Sequence, residues 1–142
     1  MNRLLIGNIE LCSLPDLGIS DLPVRIDTGA KTSSLHVDNI NVVTKFGKPQ
    51  VNFDLHPDIY NLDKTVKCSA PLHDSRRIKS SNGVSEQRCV IITRLRLGIE
   101  EWPIELTLSN REEMTYMMLL GRQGMGDRVY VDPSATFLIE NT

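Results

Sequence analysis

Hydrophobic and polar residues alternate along this chain with a period of two. Val51, Phe53 and Leu55 alternate with Asn52 and Asp54, Val24 and Ile26 flank Arg25, and Ile104, Leu106 and Leu108 alternate with Glu105 and Thr107. Such spacing predicts strands with one buried face. Turn residues separate the runs at Phe46-Gly47-Lys48-Pro49, Ser81-Asn82-Gly83, Leu97-Gly98 and Asp132-Pro133. Asn82-Gly83 is the strongest hairpin signal, because both residues tolerate positive φ. Its predicted arms are Arg76 to Ser80 and Ser85 to Ile92. Helix signals are few. The best lies after Gly121, from Arg122 to Asp127, and Gly124 and Gly126 weaken it. Many short strands with regular turns predict an all-β fold, a barrel or a sandwich. The stretch from Asn39 to Leu72 fits this pattern least and reads as an excursion or a long loop.

Composition narrows the function. The 142 residues suit one domain, spanning 1–142, with a core of its own. Apolar residues make up 40%, charged residues 24%, and the net charge is -2. That balance gives no basic footprint for nucleic acid or a membrane surface. Three cysteines, Cys12, Cys68 and Cys89, are too few and odd in number for a disulfide framework. No signal-peptide pattern and no membrane span is read, so a cytoplasmic protein is expected. The three histidines, His36, His56 and His73, have no metal-ligand spacing with the cysteines, and no P-loop is present. No metal and no nucleotide cofactor is expected.

The chemistry concentrates in Val24-Arg25-Ile26-Asp27-Thr28-Gly29-Ala30. A β-branched strand delivers Asp27 into a tight turn, Thr28 sets a hydroxyl beside it, and Gly29 and Ala30 let backbone amides approach the carboxylate. A general acid or base needs such donors to fix its orientation and pKa. Alone, Asp-Thr-Gly is weak, since it arises by chance in about a few per cent of chains this long. It is also an ordinary strand-ending turn. The later segment Met117-Met118-Leu119-Leu120-Gly121-Arg122 changes the weighting. Retropepsins and pepsin-like proteases pair Asp-Thr-Gly with such an apolar strand ending in Gly, followed by a short helix.

The resemblance extends further. Leu14-Pro15-Asp16-Leu17-Gly18-Ile19, Ile26 through His36, Ser80-Ser81-Asn82-Gly83 with Glu86 and Arg88, and Arg111-Glu112-Glu113-Met114 leading into Met118 to Arg122 resemble one bacterial retropepsin-like family. That family has long been labelled ATP-dependent zinc protease, and its members often accompany an ATP-grasp ligase that adds glutamates to a ribosomal protein. The resemblance implies a closed barrel with a short helix after the second Gly motif, and a catalytic turn of Asp27, Thr28 and Gly29. The zinc and ATP of the label find no motif in these residues.

Retropepsins usually carry Asp or Asn after Asp-Thr-Gly-Ala, and an Asp there pairs with the Arg after the second Gly. Here that position is Lys31, and Arg122 is present. Two cations in one cleft call for an anion. It is either an acidic substrate group or an internal acid such as Glu112, Glu113 or Asp127. Arg76, Arg77 and Lys79 on the predicted hairpin arm add positive charge, although such runs are usually solvated faces. The expected substrate-binding residues are Ala30, Lys31, Arg122, Arg76, Arg77 and Lys79, and the expected substrate is an acidic, glutamate-rich peptide tail. Aspartic peptidases use two carboxylates that share a proton. Only one Asp-Thr-Gly exists, and Asp16, Asp21 and Asp132 lie in other contexts, so a homodimer is expected to supply the pair. A non-catalytic peptide-binding module and a metal hydrolase are the alternatives.

Overall fold

The computed structural model describes residues 3–57, 64–79, 83–110 and 115–139. The strands are β1 (Leu4–Ile6), β2 (Ile9–Leu14), β3 (Ile19–Ile26), β4 (Ser33–His36), β5 (Asp38–Lys45), β6 (Lys48–Leu55), β7 (Val66–Pro71), β8 (Asp74–Lys79), β9 (Ser85–Leu97), β10 (Glu100–Ser109), β11 (Met118–Leu120) and β12 (Val129–Val131). One short α-helix, α1 (Arg122–Met125), follows Gly121 as expected. A single 3-10 turn at Pro15–Leu17, where proline presets φ, links β2 to β3. The all-β expectation holds.

Six strands close a barrel in the order β10-β4-β11-β3-β2-β9, with β9 pairing back to β10. Closure leaves no open edge among these six strands. Alternation aims one face of each strand inward. Val24, Ile26, Leu35, Ile91, Leu95, Leu106, Leu108, Met118 and Leu120 are buried in one core. Burying one such side chain contributes about 1.5–3 kcal/mol.

β8 extends the sheet by pairing with the first part of β9, beyond the barrel. This β8–β9 pair is the predicted hairpin, with arms longer than expected; Ser80 to Asn82 lie outside the described residues. The excursion between β4 and β8 is a three-stranded antiparallel sheet, β5-β6-β7. Val51, Phe53, Leu55, Cys68 and Ala70 turn its one face into the core. Phe46 and Gly47 both have positive φ (52° and 77°) and turn the chain between the paired Lys45 and Lys48.

The last described segment folds back along β2. Asn8 donates its N–H to Ala135, and Phe137 donates to Ile9 (2.7 and 2.9 Å). The fully buried carboxylate of Glu10 accepts N–H groups from Gly7, Leu138 and Ile139 at 2.7, 2.9 and 3.2 Å. Among the described residues, no helix is long and apolar enough to cross a membrane.

Candidate active site

Two segments far apart in sequence hold the Asp27 turn. Strand β11 lies parallel to β3, with Leu120 opposite Ile26, so the Asp27 N–H meets the Leu120 carbonyl at 2.9 Å. The first donors of α1 then point back at the loop that follows Asp27. Gly121 N–H donates to the buried Ser33 hydroxyl (3.0 Å), Arg122 N–H to the Ala30 carbonyl (2.8 Å) and Gln123 N–H to the Lys31 carbonyl (2.9 Å). These donors would otherwise be orphans of the helix start. The Arg122 guanidinium also donates to the Thr28 carbonyl (3.0 Å). Inside the turn, the Asp27 carboxylate accepts the Gly29 N–H at 2.9 Å, and no other described side chain or backbone group bonds it. Asp27 is half-buried and Thr28 and Gly29 are exposed, so the carboxylate is oriented yet accessible.

The register shows what shares the face of Asp27. Alternation buries Val24 and Ile26 and sends Arg25 and Asp27 to the other face. Arg25 is opposite Leu119, Leu119 opposite Ser34, Ser34 opposite Thr107, Thr107 opposite Val90 and Val90 opposite Asp74. Cross-strand partners share a face. Residues two positions along from these do too, so Glu105, Ser109, Arg88, Glu86 and Arg76 belong to the face of Asp27. Arg77 and Lys79 belong to the opposite face of the β8–β9 hairpin.

The expected binding residues therefore separate. Lys31 and Arg122 stay beside the turn, both exposed, and Lys31 makes no ion pair with a described residue. Ala30 contributes its carbonyl to Arg122 and its N–H to the Asp27 carbonyl (3.2 Å). Arg76 is already engaged, by Asp74 at 2.7 Å and by Glu105. Its hydrogen bond holds the Glu105 carboxyl below the usual range, and Asp74 is lowered in the same way. Arg77 and Lys79 are exposed and bond no described side chain. Of the internal acids, Asp127 is exposed and forms no ion pair with a described residue, while Glu112 and Glu113 lie outside the described residues.

The histidines take separate partners. His56 meets Asp38 (2.8 Å), and His73 lies 4.0 Å from Glu105. His36 keeps a buried Nδ1 without a hydrogen-bond partner, and burial lowers its pKa. Among the described residues, no group of three or more His, Cys, Asp or Glu is placed to hold a metal ion. A cavity of about 610 Å³ opens near Leu22, Pro23, Tyr116 and Met117. It lies toward the opposite end of β3, about 15 Å from Asp27 by strand rise, and is lined mainly by apolar groups.

Sequence reasoning missed three residues here. Ser33 supplies the buried acceptor for Gly121, Glu105 ties the hairpin to the barrel, and Arg88 lies buried on the face of Asp27. Ser33 and Arg88 carried a visible signal, each within a family-like segment, Ile26 through His36 and the stretch after Asn82-Gly83, whereas Glu105 carried none.

Comparison with known proteins gives three findings. The model of the RimB-like family, described as "Retropepsin-like aspartic endopeptidase RimB", matches residues 5–142. A Shewanella pealeana protein named "Probable alpha-L-glutamate ligase" is 46% identical over 139 residues, which cover 97% of this chain and 30% of that protein. A Desulfotalea psychrophila protein of the same name is 48% identical over 130 residues, covering 92% of this chain and 28% of that protein. The chain thus spans about 30% of the length of these curated relatives. Among solved structures, a Legionella pneumophila protein of unknown function superposes with a TM-score of 0.80 at 28% identity, covering 96% of this chain and 98% of that one.

Proposed function

The chain belongs to the RimB-like family of retropepsin-like aspartic endopeptidases, and on that footing we propose that it hydrolyses peptide bonds with Asp27 as its catalytic carboxylate. The observation that carries this reading is the support of Asp27: an accessible carboxylate on a turn that Leu120, Gly121, Arg122 and Gln123 hold from the far end of the sequence.

One carboxylate is half of the machinery. A two-fold dimer supplies the second, Asp27 of each chain facing the other across a shared water. The ionised carboxylate takes a proton from the water as its oxygen attacks the peptide carbonyl carbon. The protonated partner gives its proton to the carbonyl oxygen. The tetrahedral diol then collapses: the carboxylate that gave up its proton takes one back from a diol hydroxyl as the new C=O forms, the departing nitrogen takes a proton from the other carboxyl, and the C–N bond breaks. The pair handles all four proton transfers and ends, as it began, with one shared proton.

The substrate class follows from charge. Lys31 and Arg122 flank the turn without an acidic partner among the described residues, which suits an acidic, glutamate-rich peptide tail. Longer relatives that contain an equivalent domain are named as glutamate ligases, and a hydrolase of such tails would act on what a ligase of that kind makes. Three free cysteines suit a reducing compartment such as the cytoplasm.

The test is a cleavage assay on a glutamate-rich peptide, without ATP and after chelation of metals. Wild-type protein should cleave it, and Asp27→Asn, which keeps shape but loses the ionisable group, should not. Cleavage that survives Asp27→Asn would end this reading. Binding of the peptide without cleavage by wild-type protein would favour a peptide-binding module.

A further inference from the structure

We propose that Arg88 is the receptor for a carboxylate of the peptide lying across Asp27. This rests on the peptide-cleft reading above and adds a residue to it. Arg88 is on the face that carries Asp27, as the register shows. It stands near Ser109, whose hydroxyl is 3.5 Å from the carboxylate of its partner Glu86. Ser109 lies opposite His36, and His36 N–H donates to the Met117 carbonyl. The level of Asp27 is four residues further along β11, about 13 Å by strand rise. The path also crosses four strands, from β9 over β10, β4 and β11 to β3, roughly 19 Å at about 4.8 Å per strand, so an extended peptide reaches from one to the other in about six or seven residues.

The burial of Arg88 is out of proportion to its bonding. Its side chain is only 8% exposed, yet among the described residues its one ion pair is Nε to Glu86 at 2.6 Å. A guanidinium carries five N–H donors, and no described residue accepts from the two terminal nitrogens. Neither terminal nitrogen is among the buried polar atoms that lack a partner, so the stem is buried while the tip of the fork still reaches the surface. The nearby Arg76 shows the contrast: it is more exposed and is held by two carboxylates. Glu86 is 46% exposed, so the partner of Arg88 is itself half in solvent and leaves the outer edge of the fork open. The planar fork matches a carboxylate with two parallel hydrogen bonds, which a lysine cannot do. The carboxylate has two possible sources, a glutamate side chain or the terminal carboxylate of the peptide.

The experiment uses the full chain carrying Asp27→Asn, so that ligand is bound but not cut. Fluorescence anisotropy follows four labelled peptides: hexaglutamate with a free C-terminus, hexaglutamate amide, hexaglutamine with a free C-terminus and hexaglutamine amide. Adding Arg88→Gln should weaken the first by about 10-fold or more and leave hexaglutamine amide unchanged. Arg88→Lys keeps the charge, loses the fork and should recover only part of the loss; it carries the test if Arg88→Gln does not fold. Equal loss with hexaglutamate amide assigns the site to side chains, and equal loss with acid-form hexaglutamine assigns it to the terminus. Unchanged hexaglutamate binding in both variants overturns the proposal, as does equal weakening of all four peptides or no binding by the parent. Cleavage by wild-type protein is scored separately: binding through Arg88 without cleavage would sink the peptidase reading and leave this one standing.

Discussion

Gly121 lies so close to Thr32 that a β-carbon on it would come within 2.6 Å of the Thr32 carbonyl oxygen. The obstacle is backbone, and the same oxygen-lined wall includes the Ala30 carbonyl at 3.0 Å. Gly121→Ala should push α1 away from the loop after Asp27. The expected cost is about 3 kcal/mol, or a fall in Tm of roughly 10 °C, read by thermal melting. A melt within a degree or two of wild type would show that the two segments are not in this contact.

Assembly gives a concentration test. If one site needs two chains, specific activity should fall on dilution through the dimer constant. An excess of Asp27→Asn chains should inhibit wild-type protein, because mixed dimers carry one competent carboxylate. Full activity as a dilute monomer, measured alongside sedimentation, would exclude the symmetric pair.

Lys31 and Arg122 separate charge from positioning. Lys31 has no described ion-pair partner, so Lys31→Glu should weaken acidic peptides and spare neutral ones. Arg122 also donates to the Thr28 carbonyl, so Arg122→Glu should lower turnover of both kinds. Raising the salt concentration should weaken acidic peptides more than neutral ones. KM and kcat for an acidic and a neutral peptide read out all three effects.

Glu105 predicts how the hairpin responds to acid. The hydrogen bond from Arg76 holds its carboxyl below the ordinary glutamate value of 4.5. The group binds fewer protons in the folded state, so its stabilisation is complete above about 4.5 and is lost as pH falls through the lower folded value. Amide exchange in β8 should rise over that interval in wild-type protein. In Glu105→Gln it should already be fast at neutral pH and depend less on acid.

Glu10 anchors the returning segment. Glu10→Ala removes the acceptor for three N–H groups. At about 1–3 kcal/mol for each donor left buried, partly relieved by water, a net loss of about 3 kcal/mol is expected in chemical denaturation. No change in midpoint would mean that residues 137–139 do not dock on β2.

Much of this was legible in the sequence because period-two patterning survives wherever one face is buried. Val24-Arg25-Ile26 became β3 with the faces that alternation implied, and Ile104, Leu106 and Leu108 of β10 face the core as expected, although Thr107 between them is buried too. The Asp27 turn and the Gly121 segment were legible as a pair only through their resemblance to the paired motifs of retropepsins, since Asp-Thr-Gly alone is a weak signal. The stretch after Asn39 was not, because β5 is mostly exposed on both faces and so lacks a clear inside. The bonding of Arg76 was also hidden. Its partner Glu105 lies 29 residues away, and only the β8-β9-β10 register brings them together. Glu10 looked like an ordinary polar position; its burial depends on a segment more than a hundred residues later.

Strand β9 is one uninterrupted span of 13 residues. Its first part, Ser85 to Cys89, pairs only with β8, while Val90 to Leu97 pairs with β10 as a stave of the barrel. No loop or glycine within the strand separates the two parts. Any swing of the hairpin toward or away from Asp27 must therefore be taken up as torsion of β9, with the barrel wall as fulcrum. Arg88 rides on the free arm of that lever, two residues from Val90, where the stave begins, so an anion gripped there has a short and unbroken mechanical route to the barrel wall.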